Sequence, residues 1–315
     1  MAGVLALSLL LLAGCLQGPE DTVATAPETS DVPPSRPAVS IAARPVDPEA
    51  VARVRSFFAA QEAQRLSNDL LRRERMPGDL PITERLIENA FVRVALFDEH
   101  SFIGGRIVEG EFPSRLRRWQ DPVQMQVTFG ASVPEPVQRA DRTFVSNYAR
   151  RLSGLTGHPV SLVEAGGNFH VLLLSEEERR AIGPQLHQLV PGVDQVTLDL
   201  VQSLPLSVSC IVIAFSRSGT DIYSDAIAVI RAELPDLSRR ACYYEELAQG
   251  MGLPNDSPVA RPSLFNDSAE FAVLTALDEY LLRILYDPRL RPGMREAEAR
   301  PIIRRIVNEL MTGES

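Results

Sequence analysis

The chain has 315 residues, 45% of them hydrophobic and 23% charged, which is enough apolar material for a packed core and excludes wholesale disorder. Its 41 acidic residues outnumber 32 basic ones, for a formal net charge of -9, and every basic residue is arginine because the sequence has no lysine. An overall basic field is missing, so nucleic acid is not an expected partner.

Val4 to Leu12 is apolar apart from Ser8 and runs into Ala13, Gly14 and Cys15, the length of a signal h-region ending in small residues. As a helix this run reaches only ~15 Å, about half the hydrocarbon core of a bilayer, so it cannot span. The ending Leu12-Ala13-Gly14-Cys15 resembles the lipobox of bacterial lipoproteins. The resemblance implies a signal peptide over 1–14, lipidation of the Cys15 sulfur and acylation of its new amine. Several acyl chains anchor stably where one is marginal, so the expected partner is a membrane, reached through this N-terminal lipid. Leu16 rather than Asp follows the cysteine, which by analogy with lipoprotein sorting implies the outer membrane, facing the periplasm. The alternative is an ordinary buried N-terminal helix with a chance cysteine. Next come Pro19, Pro27, Pro33, Pro34, Pro37 and Pro45 among Ser, Thr, Asp and Glu. No apolar period survives there, so 15–46 reads as a disordered, Pro-rich tether.

Asp47 to about Arg75 is expected to be a helix, with Val51, Val54, Phe57, Phe58, Ala60 and Leu66 at helical spacing and Met76-Pro77-Gly78 as its stop. It defines an N-terminal helical segment over 47–79 ahead of a domain over 80–315. Phe91 to Phe97 alternates and predicts a strand, as does Val123 to Phe129, where Val123, Met125, Val127 and Phe129 face one way. Pro136 opens a helix striped by Val137, Ala140, Phe144, Tyr148, Leu152 and Leu155 and ended by Thr156-Gly157. Strands follow near Val160 to Ala165, Phe169 to Ser175, Cys210 to Phe215 and Ile222 to Arg231. Thr275 with Asp278 forms a capping-box pattern ahead of Leu277, Leu281 and Leu285, and a last helix runs from about Glu296 to Met311. The order of elements is α+β.

Two further cysteines remain, Cys210 and Cys242. An exported chain meets an oxidising compartment, so a disulfide is plausible; two buried free thiols are the alternative. A bridge would close a loop of about thirty residues, worth roughly 3 to 4 kcal/mol in the chain-entropy model.

Cys242-Tyr243-Tyr244-Glu245-Glu246-Leu247-Ala248-Gln249-Gly250-Met251-Gly252-Leu253-Pro254-Asn255 is the most informative stretch. It resembles the metzincin frame H-E-x-x-H-x-x-G-x-x-H, with Glu245, Gln249 and Asn255 at the three ligand positions, Glu246 at the general base and Gly252 at the helix-ending glycine. The frame fits and the ligands depart from it. Positions i and i+4 share a helix face, so Glu245 and Gln249 could converge. Zinc prefers imidazole or thiolate, however, and one carboxylate with two neutral amides offers little charge and hard oxygen donors. No metal or other cofactor is therefore expected. Gly293-Met294 could stand where those enzymes have their Met-turn.

More closely, these residues together with Ser263-Leu264-Phe265-Asn266-Asp267, Leu282 to Leu290 and Pro292-Gly293-Met294 resemble the bacterial domain-of-unknown-function family numbered 2927, over roughly 80 to 297. The resemblance implies no known activity; the fold it suggests is a zincin-like mixed sheet with packed helices, its metal ligands absent. The expected function is a non-catalytic binding module of the cell envelope. A hydrolase with non-standard ligands and Glu246 as base is the competing class, and a purely structural spacer the third. Plainer readings stand beside these: Glu245 and Glu246 as a solvated helix face, and Asn255, Asp256, Asn266 and Asp267 as Asx-turns and caps. His100, His158, His170 and His187 show no ligand spacing, no nucleophile elbow is present, and Gly166-Gly167 is too isolated for a phosphate loop.

Cys15→Ser should move the chain from the membrane fraction to the soluble fraction and abolish fatty-acid labelling. Retention with labelling intact would refute the anchor.

Overall fold

The computed structural model describes residues 47–103, 106–266 and 268–313, without the side chains of 99–109. The expected leader, Cys15 and tether, together with Gly104, Gly105 and Asp267, lie outside the described residues. None of the described helices is long and apolar enough to cross a membrane.

Helix α1 (Pro48–Ser67) starts at Asp47, whose side chain accepts from the Glu49 amide. It ends earlier than its apolar spacing predicts. Asp69 and Leu71 take left-handed backbone angles. The chain then runs extended along Phe271, with Arg72 N donating to Glu270 O and Ala272 N to Arg72 O. Tertiary backbone bonds displace the last helical turns here.

Helix α2 (Glu84–Ala95) corrects the strand expected over 91–97. Seven alternating residues do not separate the two periods. From the Thr83 cap onward, buried Ile87, Ala90, Phe91, Val94 and Ala95 recur at helical spacing, and Val92 is buried as well. Polar Arg85, Glu88, Asn89 and Arg93 also recur at helical spacing, but only Arg93 falls inside the alternating window, which is too short to separate the two periods. Strands β1 (Phe97–Ile103) and β2 (Arg106–Pro113) form an antiparallel pair of their own.

The main sheet contains β3 (Arg118–Trp119), β4 (Val123–Phe129), β5 (Val160–Leu162), β6 (Phe169–Leu174), β7 (Cys210–Ser216) and β8 (Ile222–Arg231). Strands β5, β4, β6 and β8 lie side by side and parallel; β3 runs parallel to the first residues of β8, and β7 is antiparallel to β8. The sheet is thus mixed, as expected, and mostly parallel. Helix α3 (Glu135–Thr156) links β4 to β5 and ends on left-handed Gly157. The connection from β5 to β6 passes directly over β4: a Cβ on Gly167 would stand 2.7 Å from the Gln124 carbonyl oxygen, so only glycine fits.

Alternation along the strands builds two cores. Phe169, Val171 and Leu173 of β6 and Ala226, Ala228 and Ile230 of β8 face the larger one, with α2, α3, α7 (Asp236–Gln249), α8 (Ala276–Leu285) and α9 (Glu296–Thr312). Leu172, Leu174, Ile227 and Val229 face the other, covered by α4 (Glu176–Arg180), α5 (Gly183–Leu189) and α6 (Gln195–Ser203). Strands buried on both faces are expected in parallel sheets. At the C-terminal ends of β6 and β8, Glu176 gathers Arg179, Arg180 and Arg231, and Glu178 accepts from Ser132 and Ser175.

The capping box at Thr275 forms as expected, and Asp278 also accepts from Ser263 Oγ and Leu264 N. Burial pushes its carboxyl up to about 6 from 3.8, against those hydrogen bonds. A raised carboxyl binds its proton more tightly in the folded chain, so its contribution to stability is largest below pH 4 and is lost as pH rises through 6. The stability difference between wild type and Asp278→Asn should shrink by about 2 kcal/mol from pH 4 to pH 7. Denaturant titrations of both at each pH would measure it, and a flat difference would count against the shift.

Candidate functional site

Helix α7 follows β8 after a short turn and carries the metzincin-like frame. Its N-terminal turn is fixed twice. Glu62 of α1 accepts from Ser238 N at 2.9 Å and Ser238 Oγ at 2.7 Å, an acid at the positive end of a helix. Arg239 donates to Asp141 of α3 through Nε at 2.8 Å and Nη2 at 3.2 Å, and Tyr243 Oη donates to the same carboxylate at 3.1 Å. Burial works against the Arg239 charge, but the hydrogen bond and charge of Asp141 hold its pKa above the usual value. Burial, reinforced by Asp141, pushes the Tyr243 hydroxyl well up, so it stays a donor.

One turn further on, Cys242 is disulfide-bonded to Cys210, the first residue of β7, across a Cα–Cα distance of 6.0 Å. The bridge expected from the sequence ties the edge strand to the helix. Cys242, Glu245 and Glu246 share one helix face. The sulfur of Cys210 and a carboxylate oxygen from each of Glu245 and Glu246 lie within 4.8 Å of one another, the one such group of three His, Cys, Asp or Glu side chains among the described residues. Glu246 is only 5% exposed, while Glu245 is half-buried.

The other two ligand-equivalent residues point their amides elsewhere. Gln249 Nε2 donates to Asp256 Oδ1 at 2.9 Å, closing the turn after the helix. Asn255, 1% exposed, donates through Nδ2 to Arg93 O of α2 at 2.8 Å, and its backbone N donates to Val94 O. The helix stops at Gln249, and Gly252 has φ +129° with Arg117 O only 2.3 Å from where a Cβ would stand. The frame's glycine is therefore required, for close packing of the chain after α7 against the segment entering β3. Around it Trp119 Nε1 donates to Gly250 O at 2.8 Å and Tyr286 Oη to Met251 O at 3.0 Å.

The remaining family-like motifs brace this turn. Arg118 donates to the carbonyls of Leu285, Asp287 and Leu290, and Met294 O accepts from Leu116 N while Gly293 N donates back to Leu116 O. Asn266 caps Ser268 as an Asx-turn, as its plainer reading expects. The histidines stay apart: His158 bonds Asp121 O and packs on Tyr286, His170 is buried in β6, His187 is exposed on α5, and the His100 side chain lies outside the described residues. Sequence reasoning missed Asp141, Arg239 and the approach of Cys210 to the two glutamates. The first two are a charged pair, Asp141 on a predicted helix and Arg239 ahead of the stretch read as helical, and spacing alone does not match them up.

Removing one partner of a buried ion pair strands the other charge, at a cost of about 3 to 5 kcal/mol. Asp141→Ala should destabilise the chain by that amount in chemical denaturation, and Asp141→Leu with Arg239→Met should recover most of it. A single-variant loss under about 1 kcal/mol would show that the pair behaves as an exposed one.

No curated protein and no solved structure matches the chain. Residues 84–305 match the family model described as Protein of unknown function (DUF2927), which spans from α2 into α9 and takes in every residue of the site built above except Glu62. The chain belongs to that family.

Proposed function

We propose that this protein is a lipid-anchored, outer-membrane module of the cell envelope whose zincin-like domain binds an extended peptide and does not cut it. The observation carrying this reading is the use made of the frame: Gln249 and Asn255, where the second and third metal ligands would stand, are tied to Asp256 and to the Arg93 carbonyl. A mixed sheet followed by the frame-bearing helix and a close-packed glycine turn supports the zincin-like part. Strand β7 supports the binding part. Its seven residues contain no charge and no proline, and among the described residues no strand pairs with its second edge. An open edge accepts a peptide by strand addition, and Glu245, close to Cys210 at the start of β7, favours a basic side chain on it.

The test uses the purified full chain in detergent and fluorescent apolar peptides ending in arginine. Saturable binding with the peptide intact is expected, and methylating alternate peptide nitrogens should abolish it. Peptide cleavage accompanied by stoichiometric zinc, with the cleavage lost on Glu246→Gln, would replace this reading with the metal-dependent hydrolase. Absence of binding would leave β7 without the role assigned to it and overturn the peptide module.

A further inference from the structure

The disulfide and the two glutamates meet at one sulfur. Cys210 Sγ lies within 4.8 Å of a carboxylate oxygen of Glu245 and of Glu246. While the bridge is closed, that sulfur shares its bonding pair with Cys242. A thiolate is a strong ligand for borderline and soft divalent ions, which a disulfide sulfur is not. We infer that opening the Cys210–Cys242 bridge creates a zinc-class metal site from the Cys210 thiolate and the carboxylates of Glu245 and Glu246, leaving a fourth position open to solvent.

The donor set is chemically coherent. One thiolate and two carboxylates bring three negative charges to a divalent cation, and three protein ligands with an open fourth position is a common zinc arrangement. The donors come from rigid elements, Glu245 and Glu246 from adjacent positions of α7 and Cys210 from the strand packed against it. Glu245 and Glu246 each already take part in an interaction in the oxidised chain, and metal binding has to compete with any that their carboxylates make. The site differs from the frame's ligand triad, because it uses Cys210 and Glu246 in place of Gln249 and Asn255. Cys210 is half-buried at the first position of β7, whereas Cys242 is 3% exposed.

The redox step is an ordinary exchange with a dithiol. The Cys210–Cys242 bond breaks and two thiols form. The dithiol supplies two electrons and two protons and closes to its own disulfide. Metal binding then sends the Cys210 proton to the buffer.

Two single variants separate the site from the loss of the bridge, since each removes the same disulfide. In full-length Cys242→Ser the Cys210 thiol is free without reductant; this variant should take up one cobalt(II) or zinc per chain, with a thiolate-to-cobalt charge-transfer band. Cys210→Ser should take up none, and Glu245→Gln with Glu246→Gln in the Cys242→Ser chain should abolish the band. Wild type, reduced with a dithiol and desalted under argon, should behave as Cys242→Ser does. Equal uptake by the two cysteine variants, uptake insensitive to the glutamates, or no uptake by Cys242→Ser would each overturn the inference. Zinc found in wild type with its bridge intact would bear on the binding-module reading instead, so the two failures are distinguishable.

Discussion

Asp141 is almost completely buried, and an uncompensated carboxylate there would cost several kcal/mol. Its partners, Arg239 and Tyr243, both come from the first two turns of α7, so satisfying this one charge fixes the helix against α3. Everything chemically distinctive follows from that placement. Once the first turns are held, Cys242 faces β7, the glutamates lie beside the bridge, and the end of the helix arrives beneath Trp119. The arginine fork suits the task, because Nε and Nη2 each reach one carboxylate oxygen while its remaining donors reach Asp236 and the Leu234 carbonyl.

Parts of this architecture could be read from the residues alone. In β4 the apolar Val123, Met125 and Val127 alternate with polar residues and are buried, and in α3 Tyr148 and Leu152 of the expected stripe are buried, although Val145, outside that stripe, is buried as well and Ala140 within it is exposed. The Thr275 box was legible for a different reason: capping is local, needing only Thr275 and Asp278 three residues apart. Where the window is short the signal fails. Helix α2 carries polar Arg85, Glu88, Asn89 and Arg93 at helical spacing, but only Arg93 lies between Phe91 and Leu96, the stretch whose alternation suggested a strand. The layer formed by α4, α5 and α6 escaped for want of length, each being under three turns, although Ser175 and Glu178 spell a capping box.

The candidate site was legible in its frame and not in its partners. Spacing placed Glu245, Glu246, Gln249 and Gly252 along one helix and its turn, and correctly demanded a glycine. It could not show that Asn255 closes on the Arg93 carbonyl, since that contact depends on α2, the element whose period was misread. A Cys210–Cys242 bridge stood in the sequence beside the alternative of two free thiols, and the proximity of that sulfur to two carboxylates depends on β7 being an edge strand packed over α7, a long-range fact without a local signature.

Trp119 is the sole tryptophan of the chain, and its position has a practical consequence. Its ring is buried between Phe169, stacked at 6.2 Å, and Tyr223, edge-on at 6.0 Å, while its indole N–H reaches the carbonyl of Gly250. The three partners belong to β6, β8 and the end of α7. Intrinsic indole fluorescence from this protein therefore comes from a single fluorophore at the junction of sheet and helix, and its emission reports whether the last turn of α7 is seated, rather than an average over the whole molecule.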